Sequence, residues 1–296
     1  MAASSPAKRR RVGGRSEPAR PETAGRFAGQ RTVSYNAGMC LLVFAWNAHP
    51  RYRLIFAGNR DEFHDRPSAA MGWWTDQPAI LAGRDLQAGG TWLGLSRRGD
   101  FGVVTNYREL QRPVPGMPSR GGLITHYLAS ALSSARFLAE LAPEAERYAG
   151  FNLLLADAGN MHYASNRAEP FARALDRGVH GLSNHLLDTS WPKLARTRAR
   201  FRKLIAAPEP SLEEMLSMLA DRDPAPDHLL PDTGIGLDWE RLLSSPFIVD
   251  ERYGTRCSTA VRIGLDGTVQ VRERRYDREG RTTGEDAFEW RTGPEE

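Results

Sequence analysis

The chain has 296 residues, of which 41% are hydrophobic, and a formal net charge of +4 at neutral pH. This length and apolar content are sufficient for one sizeable hydrophobic core, and they exclude a chain that is disordered throughout. No apolar run approaches the roughly 18 residues of a membrane-spanning helix, so we expect no stable membrane span.

The positive charge is concentrated at the start of the chain. Residues 1–39 contain eight Lys and Arg side chains and two Glu side chains, which leaves 32 of the 40 basic and 34 of the 36 acidic residues for the remainder. The remainder is therefore close to neutral. A neutral domain is a poor match for nucleic acid or an anionic membrane, so we expect neither as a partner.

Residues 1–38 combine Ala, Ser, Pro, Gly and Arg with few large apolar side chains, a composition typical of disorder. We expect a disordered basic extension there, and a single domain over residues 39–296 with a frayed C-terminal tail. Residues 6–12 resemble a nuclear-import signal, although short basic matches are often accidental. The alternatives are a solvated tail, or sequence ahead of a start at Met39 that is not translated or is removed.

The two cysteines, Cys40 and Cys257, cannot form a disulfide framework for a domain of this size. A reducing compartment is the default for such a chain, so we expect a cytoplasmic protein. The apolar run over residues 41–46 is too short for the core of a signal peptide. The histidines lack the spacing of metal ligands, so we expect no metal site.

Strand-like and helix-like patterns alternate in blocks along the chain. The predicted strands cover residues 41–46, 53–57, 92–95, 101–105, 151–157, 161–165, 179–182, 245–249, 257–263 and 269–274. The predicted helices cover residues 123–132, 137–148, 191–205 and 211–220. Residues 58–67 and 221–237 are predicted loops. This order favours an α+β fold with antiparallel sheets and helices packed outside them.

Cys40 follows Met39 at the head of the first predicted strand. If the bond between them is cut, Cys40 acquires a free α-amine, whose unperturbed pKa of about 8 suits it to act as the base for its own thiol. A neighbouring arginine, Arg60 or Arg108, would lower the thiol pKa and favour the thiolate. The alternative is a small buried residue at a strand start, which is how most free cysteines behave.

Residues 59–62, Asn-Arg-Asp-Glu, place three charged side chains directly after the second predicted strand. Since three charges cannot all be buried cheaply, they must be exposed or paired. In one interpretation Asp61 accepts a hydrogen bond from the nitrogen of residue 40, and Arg60 lies near the thiolate. In the other, the charges belong to a surface loop and cap its turns.

Asn106 and Asn184 each follow a predicted strand. An asparagine amide can donate to a developing oxyanion, whereas the alternative is an asparagine that suits the geometry of a turn. The chain has no Gly-x-Ser-x-Gly elbow and no Gly-rich phosphate loop, so neither a serine triad nor a nucleotide site is indicated.

Taken together, the ordered motifs of the chain resemble the NRDE family, which includes Transport and Golgi Organization 2 proteins. The motifs are Met39-Cys40, NRDEF at 59–63, Arg66-Pro67, AGRD at 82–85, GGTWLG at 89–94, TNYR at 105–108, SRG at 119–121, GLSNH at 181–185, WPK at 191–193 and YGTR at 253–256. Members of that family usually begin at the Met-Cys pair. The resemblance therefore implies an internal start or a processing step in this chain.

The NRDE family is in turn similar to N-terminal nucleophile hydrolases, particularly the choloylglycine hydrolase and penicillin acylase group. This resemblance implies a four-layer αββα sandwich with mostly antiparallel sheets. It also implies a leading Cys, a nearby Asp and an oxyanion-hole Asn, for which Cys40, Asp61 and Asn184 are the matching residues. In those hydrolases an Arg precedes the Asp by a few residues, so Arg60, adjacent to Asp61, departs from the pattern.

One function implied by the resemblance is hydrolysis of a linear amide. Cys40 would attack the carbonyl, its α-amine would relay the proton, and Asp61 would orient the amine. Asn184 would steady the oxyanion, and Arg60 would lie near the thiolate. Asn59 and Asn106 are further candidate substrate-binding residues. No cofactor is required for this chemistry.

A second function implied by the resemblance is that of a non-catalytic carrier or chaperone. The family is linked to haem mobilisation and to acyl-CoA or lipid homeostasis, so the carried ligand would be haem or an acyl-CoA. Arg60, Arg84 and Arg108 would then pair with propionates or phosphates. A third interpretation is a scaffold whose motifs only maintain the fold.

Overall fold

The structure, a computed structural model, describes residues 1, 39–109, 114 and 116–293 of the chain. The expectations for residues 2–38, including the import-like stretch, lie outside the described residues. The described residues from 39 onward belong to one compact unit. The single domain over residues 39–296 and its frayed C-terminal tail remain predictions.

Antiparallel strands contain more of the described residues than the helices do. The strands are β1 (Met39–Trp46), β2 (Tyr52–Phe63), β3 (Ser68–Trp73), β4 (Ile80–Asp85), β5 (Leu93–Ser96), β6 (Phe101–Asn106), β7 (Phe151–Ala156), β8 (Met161–Ser165), β9 (Ala172–Ala174), β10 (Gly178–Leu182), β11 (Tyr253–Gly264), β12 (Thr268–Tyr276) and β13 (Thr282–Arg291). The helices are α1 (Gly121–Ala129), α2 (Ser134–Leu141), α3 (Pro192–Leu204), α4 (Leu212–Leu219) and α5 (Leu237–Leu242), with 3₁₀ helices at Ala142–Arg147 and Asp227–Leu229.

Two sheets organise these strands. The six-stranded sheet has the order β10-β1-β2-β11-β12-β13, and the seven-stranded sheet has the order β3-β4-β5-β6-β7-β8-β9. Every pairing between the described strands is antiparallel. Strand β1 therefore lies between β2 and β10 in this sheet. Its pairing with β10 begins at Leu42, so Cys40 pairs with β2 but extends past the end of β10.

The residues of β1 alternate between two hydrophobic cores. Leu42 and Phe44 belong to the core between the two sheets, whereas Leu41 and Val43 belong to a core that includes side chains of α3 and α4. A third core joins α1 and α2 to the outer face of the seven-stranded sheet. The alternation of β1 side chains between the first two cores is typical of a strand that is buried on both faces. Each fully buried Leu or Phe contributes roughly 1.5–3 kcal/mol.

These layers confirm the predicted α+β fold, a four-layer αββα sandwich with antiparallel sheets. The hairpins β1–β2, β5–β6 and β7–β8 and the helices α3 and α4 also lie where the sequence predicts them. Ser211 caps α4 by accepting a hydrogen bond from the main-chain nitrogen of Glu214, as its sequence signature indicates.

Three local predictions were wrong. Residues 58–63 were expected in a loop but continue β2, because they pair with β1 on one side and β11 on the other. Residues 245–249 were expected in a strand, but only an isolated bridge forms there, between Val249 and Gly254. Strands β3, β4, β9 and β13 and helix α5 were not predicted.

Candidate functional site

A cavity of about 560 Å³ opens at one end of the sandwich, between the two sheets. Its wall includes Cys40 of β1, residues 60–63 of β2, and Cys257 of β11. The opposite wall includes residues 83–85 of β4 and residues 117–121 ahead of and at the start of α1. The cavity therefore collects side chains that are far apart in the sequence.

Cys40 is 5% exposed, and its main-chain N–H donates to Oδ1 of Asn184 at 2.9 Å. Burial raises the pKa of the Cys40 thiol to about 12, and the charge of Asp61 acts in the same direction, whereas the charge of Arg60 lowers it. In the full chain, where residue 40 has no α-amine, this thiol is un-ionised at neutral pH and is a weak nucleophile.

Asn184 links two elements of the predicted site. Its Nδ2 donates to the carbonyl oxygen of Asn106 at 2.9 Å, while its Oδ1 accepts from Cys40. Its φ of 53° lies in the left-handed region, which asparagine adopts more readily than most residues. The amide is thus fixed beside the nitrogen of residue 40. The oxyanion role of Asn184 stays a prediction.

Asp61 lies beside Cys40 in the sheet, since Asp61 pairs with Met39 and Arg60 pairs with Cys40. Its Oδ1 accepts from the Thr255 hydroxyl at 2.7 Å, whereas its Oδ2 is buried and has no hydrogen-bond partner within the described residues. Burial raises the pKa of Asp61 to about 6, although the charge of Lys193 lowers it. One carboxylate oxygen therefore remains available to a donor.

Arg60 is 9% exposed and lies between two thiols. It pairs in register with Cys40 on one side and Cys257 on the other, so the three side chains share one face of the sheet. It forms an ion pair with Glu62, in which Nη2 of Arg60 lies 3.8 Å from Oε2 of Glu62. Its charge lowers the pKa of both thiols, against the larger effect of burial.

Arg256 is a cavity residue that the sequence analysis did not single out. The pairing of β11 with β2 shifts between Thr255 and Cys257, so Arg256 is the extra residue of a β-bulge. Its Nη1 donates to the carbonyl oxygen of Phe63 at 2.9 Å. Burial lowers its pKa, and so does the charge of Arg60. The YGTR motif contained this residue, but a bulge has no clear signature in a sequence.

Two further arginines and a buried carboxylate also line the cavity. Arg120 donates from Nη1 to the Gly150 carbonyl at 3.0 Å, and burial lowers its pKa to about 10. Arg66 donates from Nη2 to Asp85 at 2.6 Å. Glu273 is 2% exposed, and burial raises its pKa. The SRG motif contained Arg120, but its spacing from Cys40 gave no sign that the two share a cavity.

Asn59 was predicted to bind substrate, but the structure places its side chain on the helix-facing side of β2. Its Nδ2 donates to the carbonyl oxygens of Leu219 at 3.1 Å and Pro246 at 2.8 Å, and its Oδ1 accepts from Ser258 at 2.6 Å. The residue is fully buried. These contacts join β2, the end of α4 and β11, and they turn the amide away from the cavity.

Arg108 also lies away from the cavity wall. It pairs with Glu240 at 2.7 Å, both side chains are under 10% exposed, and its guanidinium stacks on Trp191 at 4.4 Å from the ring centroid. By contrast, Arg84 and Asn106 do line the cavity. The Arg84 charge is shared with Asp76 at 2.8 Å.

The described residues contain no group of three or more His, Cys, Asp or Glu side chains arranged to hold a metal ion. None of the helices in this part of the chain is both long enough and apolar enough to cross a membrane.

A sequence profile described as "Transport and Golgi organisation 2" matches residues 39–278. The chain belongs to the Transport and Golgi organisation 2 family. It is 36% identical over 256 residues to the Transport and Golgi organization 2 homolog of Mus musculus, covering 80% of this chain and 92% of that protein. It is 36% identical over 257 residues to the Homo sapiens homolog, with the same coverages. The family expectation is thereby confirmed.

A more distant relative is the Transport and Golgi organization protein 2 of Drosophila melanogaster, 24% identical over 79% of this chain and 91% of that protein. Among solved structures, the C2A mutant of the conjugated bile acid hydrolase from Clostridium perfringens aligns over 86% of this chain and 85% of its own, with 8% identity and a TM-score of 0.37. The family match, which begins at Met39, spans the residues of the Cys40 site.

Proposed function

We propose that this family member is a cysteine amidohydrolase once the bond between Met39 and Cys40 has been cut. The observation that carries the proposal is the position of the residue-40 nitrogen. It lies 2.9 Å from Oδ1 of Asn184, and the neighbouring Asp61 has a buried, unsatisfied Oδ2. A buried carboxylate oxygen without a donor is costly, and the α-amine freed by cleavage would supply one.

In the proposed reaction the Cys40 thiol transfers its proton to the α-amine, and Sγ attacks the carbonyl carbon of a linear amide. As the tetrahedral intermediate collapses, the amide C–N bond breaks and the proton passes to the leaving nitrogen. Water then hydrolyses the thioester, which releases a carboxylic acid and restores the thiol. Asp61 and Asn184 hold the amine in place, and Arg60 favours the thiolate.

Intact mass of the purified protein tests the first requirement, because it shows whether Cys40 is N-terminal. Retention of the bond between Met39 and Cys40 would overturn the mechanism. A chain that begins at Cys40 is then offered a panel of N-acyl p-nitroanilides. We expect release of p-nitroaniline that is lost in Cys40→Ser and kept in Cys257→Ser, a matched control because Cys257 is a buried thiol in the same cavity.

The second candidate function is that of a carrier for an anionic ligand such as haem or an acyl-CoA. The observation that favours it is the pair of arginines on the cavity wall. The charge of Arg60 lowers the pKa of Arg256, and neither arginine hydrogen-bonds to a carboxylate within the described residues. Two cations held together in this way would be stabilised by a bound carboxylate or phosphate.

Titration of the full chain with haem, followed by absorbance, tests the carrier function. A saturable spectral change that weakens in Arg60→Gln is expected. Absence of a saturable change argues against haem, and a repeat with palmitoyl-CoA, followed by calorimetry, separates the two ligands.

A further inference from the structure

Lys193 is a buried cation near the candidate nucleophile that the proposed reaction does not use. It is 2% exposed, and its Nζ has no hydrogen-bond partner within the described residues. It is the second residue of α3, where the positive end of the helix dipole disfavours a cation. The helix therefore does not stabilise this ammonium, which requires an anion elsewhere.

Asp61 is the candidate for this anion. Its Oδ2 is a second buried polar atom without a hydrogen-bond partner in the described part of the chain. Among charged groups, Lys193 has the largest effect on the pKa of Asp61, and Asp61 has the largest effect on that of Lys193. Both atoms are thus buried without a hydrogen-bond partner, and Asp61 lies on the helix-facing side of β2, the face of the sheet on which α3 packs.

Other charges act on Asp61 from its own strand and from β1. Arg60 favours its ionisation and Glu62 opposes it, and these two side chains pair with each other at 3.8 Å. The Cys40 thiol is neutral, since burial raises its pKa to about 12.

On the α3 side, Arg108 disfavours and Glu240 of α5 favours the charge of Lys193. These two form a 2.7 Å ion pair, so their effects on Lys193 oppose each other. Lys193 therefore remains the main cation that stabilises the Asp61 carboxylate.

We propose that Lys193 is a positioning residue of the Cys40 site that acts through Asp61. Its ammonium keeps the buried Asp61 carboxylate ionised, so that the carboxylate can accept a hydrogen bond from the α-amine of residue 40. The consequence for catalysis rests on the proposed hydrolase function. The coupling between Lys193 and Asp61 is a property of the full chain and is measured without a substrate.

The test is a carboxyl titration of the full chain labelled with ¹³C-carboxyl aspartate and followed by NMR. The signal that disappears in Asp61→Asn identifies Asp61. In Lys193→Met we expect the titration midpoint of Asp61 to rise by about 1 pH unit or more. Lys203→Met is the matched control, because Lys203 is exposed on the same helix, and it leaves the midpoint unchanged. An unchanged midpoint in folded Lys193→Met overturns the proposal.

If Lys193→Met fails to fold, the double variant Asp61→Asn/Lys193→Met is the next measurement. It removes both charges, so we expect it to fold, because a neutral buried pair avoids the isolated charge of the single variant. A double variant that folds no better than the single one overturns the proposal.

The effect on catalysis is measured with the chain that begins at Cys40. The acid limb of p-nitroaniline release moves to higher pH in Lys193→Met and stays in place in Lys203→Met. If the wild type releases no p-nitroaniline while its Asp61 midpoint still depends on Lys193, the hydrolase function fails and the charge coupling stands. The two failures are therefore distinguishable.

Discussion

The last residues of β2 have two chemically different faces. On the helix-facing side, Asn59 has its side-chain amide fully engaged, and Asp61 is held by Thr255 near Lys193. On the cavity side, Arg60 is paired only at 3.8 Å and contributes to the cavity wall with Glu62. The side chains of these four consecutive polar residues thus alternate between the helix-facing side of the sheet and the side that borders the cavity.

The arginines at and near the site are of two kinds, which differ in the groups that they contact. Arg108 is buried in a short ion pair with Glu240 and stacks on Trp191, so it joins the segment after β6 to α5 and to the start of α3. Arg60 and Arg256 have weaker or main-chain partners and border the cavity. Burial alone does not distinguish the two kinds. The two kinds are distinguished by the group that each guanidinium contacts.

The largest expected effect on stability comes from the helix-facing side. Asn59→Ala removes three buried hydrogen bonds and leaves their partners unsatisfied, so we expect a loss of about 3 kcal/mol in the free energy of unfolding. Urea unfolding measures it. Arg60→Gln is the control from the opposite face and should cost less. Equal losses in both variants would contradict the division of the two faces.

The contribution of Asp61 and Lys193 to the stability of the fold is expected to depend on pH. The pKa of Asp61 is raised to about 6, so the folded state binds a proton more tightly than the unfolded state, and this contribution to stability falls as pH rises through 6. The pKa of Lys193 is lowered to about 8, so the folded state binds its proton more weakly, and stability recovers above pH 8. The contribution of the pair is therefore lowest between about pH 6 and 8.

Urea unfolding at several pH values, compared with Asp61→Asn/Lys193→Met, isolates this contribution because the other titrating groups are shared. A difference between the two proteins that stays constant from pH 5 to pH 9, as rough limits of the measurement, would count against the coupled pair.

On the cavity side, Arg60→Gln is expected to weaken haem or palmitoyl-CoA binding by about 10-fold to 100-fold. The reason is that a hydrogen bond to a charged group contributes roughly 1.5–3 kcal/mol. Absorbance titration or calorimetry measures the affinity. Unchanged affinity in Arg60→Gln would show that the cavity-facing half of this segment does not hold the ligand.

The smallest expected effect comes from the rim of the cavity. Arg84 shares its charge with Asp76 at 2.8 Å and is partly exposed, so its substitution by Gln should change ligand affinity by less than about 3-fold. The same titration compares it with Arg60→Gln. A larger loss in Arg84→Gln would place the anion at the rim rather than beside Cys40.

Some of the site could be predicted from the sequence because it depends on local pattern. The continuous apolar run of β1 predicts a strand headed by Cys40, and the family motifs single out Asp61, Asn106 and Asn184. The contact between Asn184 and Cys40 joins residues 144 positions apart, and no local signal specifies that distance. The end of β2 was predicted as a loop because its polar residues are atypical of a strand, whereas pairing on both sides keeps it in the sheet.

The sequence by itself therefore determined the family, the layered α+β fold and the identity of the candidate nucleophile, because motifs and apolar periodicity are local properties of the chain. Only the tertiary structure decided which charges reach the cavity. The β-bulge brings Arg256 to its wall, strand alternation turns Asn59 away, and packing at the start of α3 buries Lys193. These placements depend on pairing between distant segments, which burial and backbone hydrogen bonding settle only when the whole chain has folded.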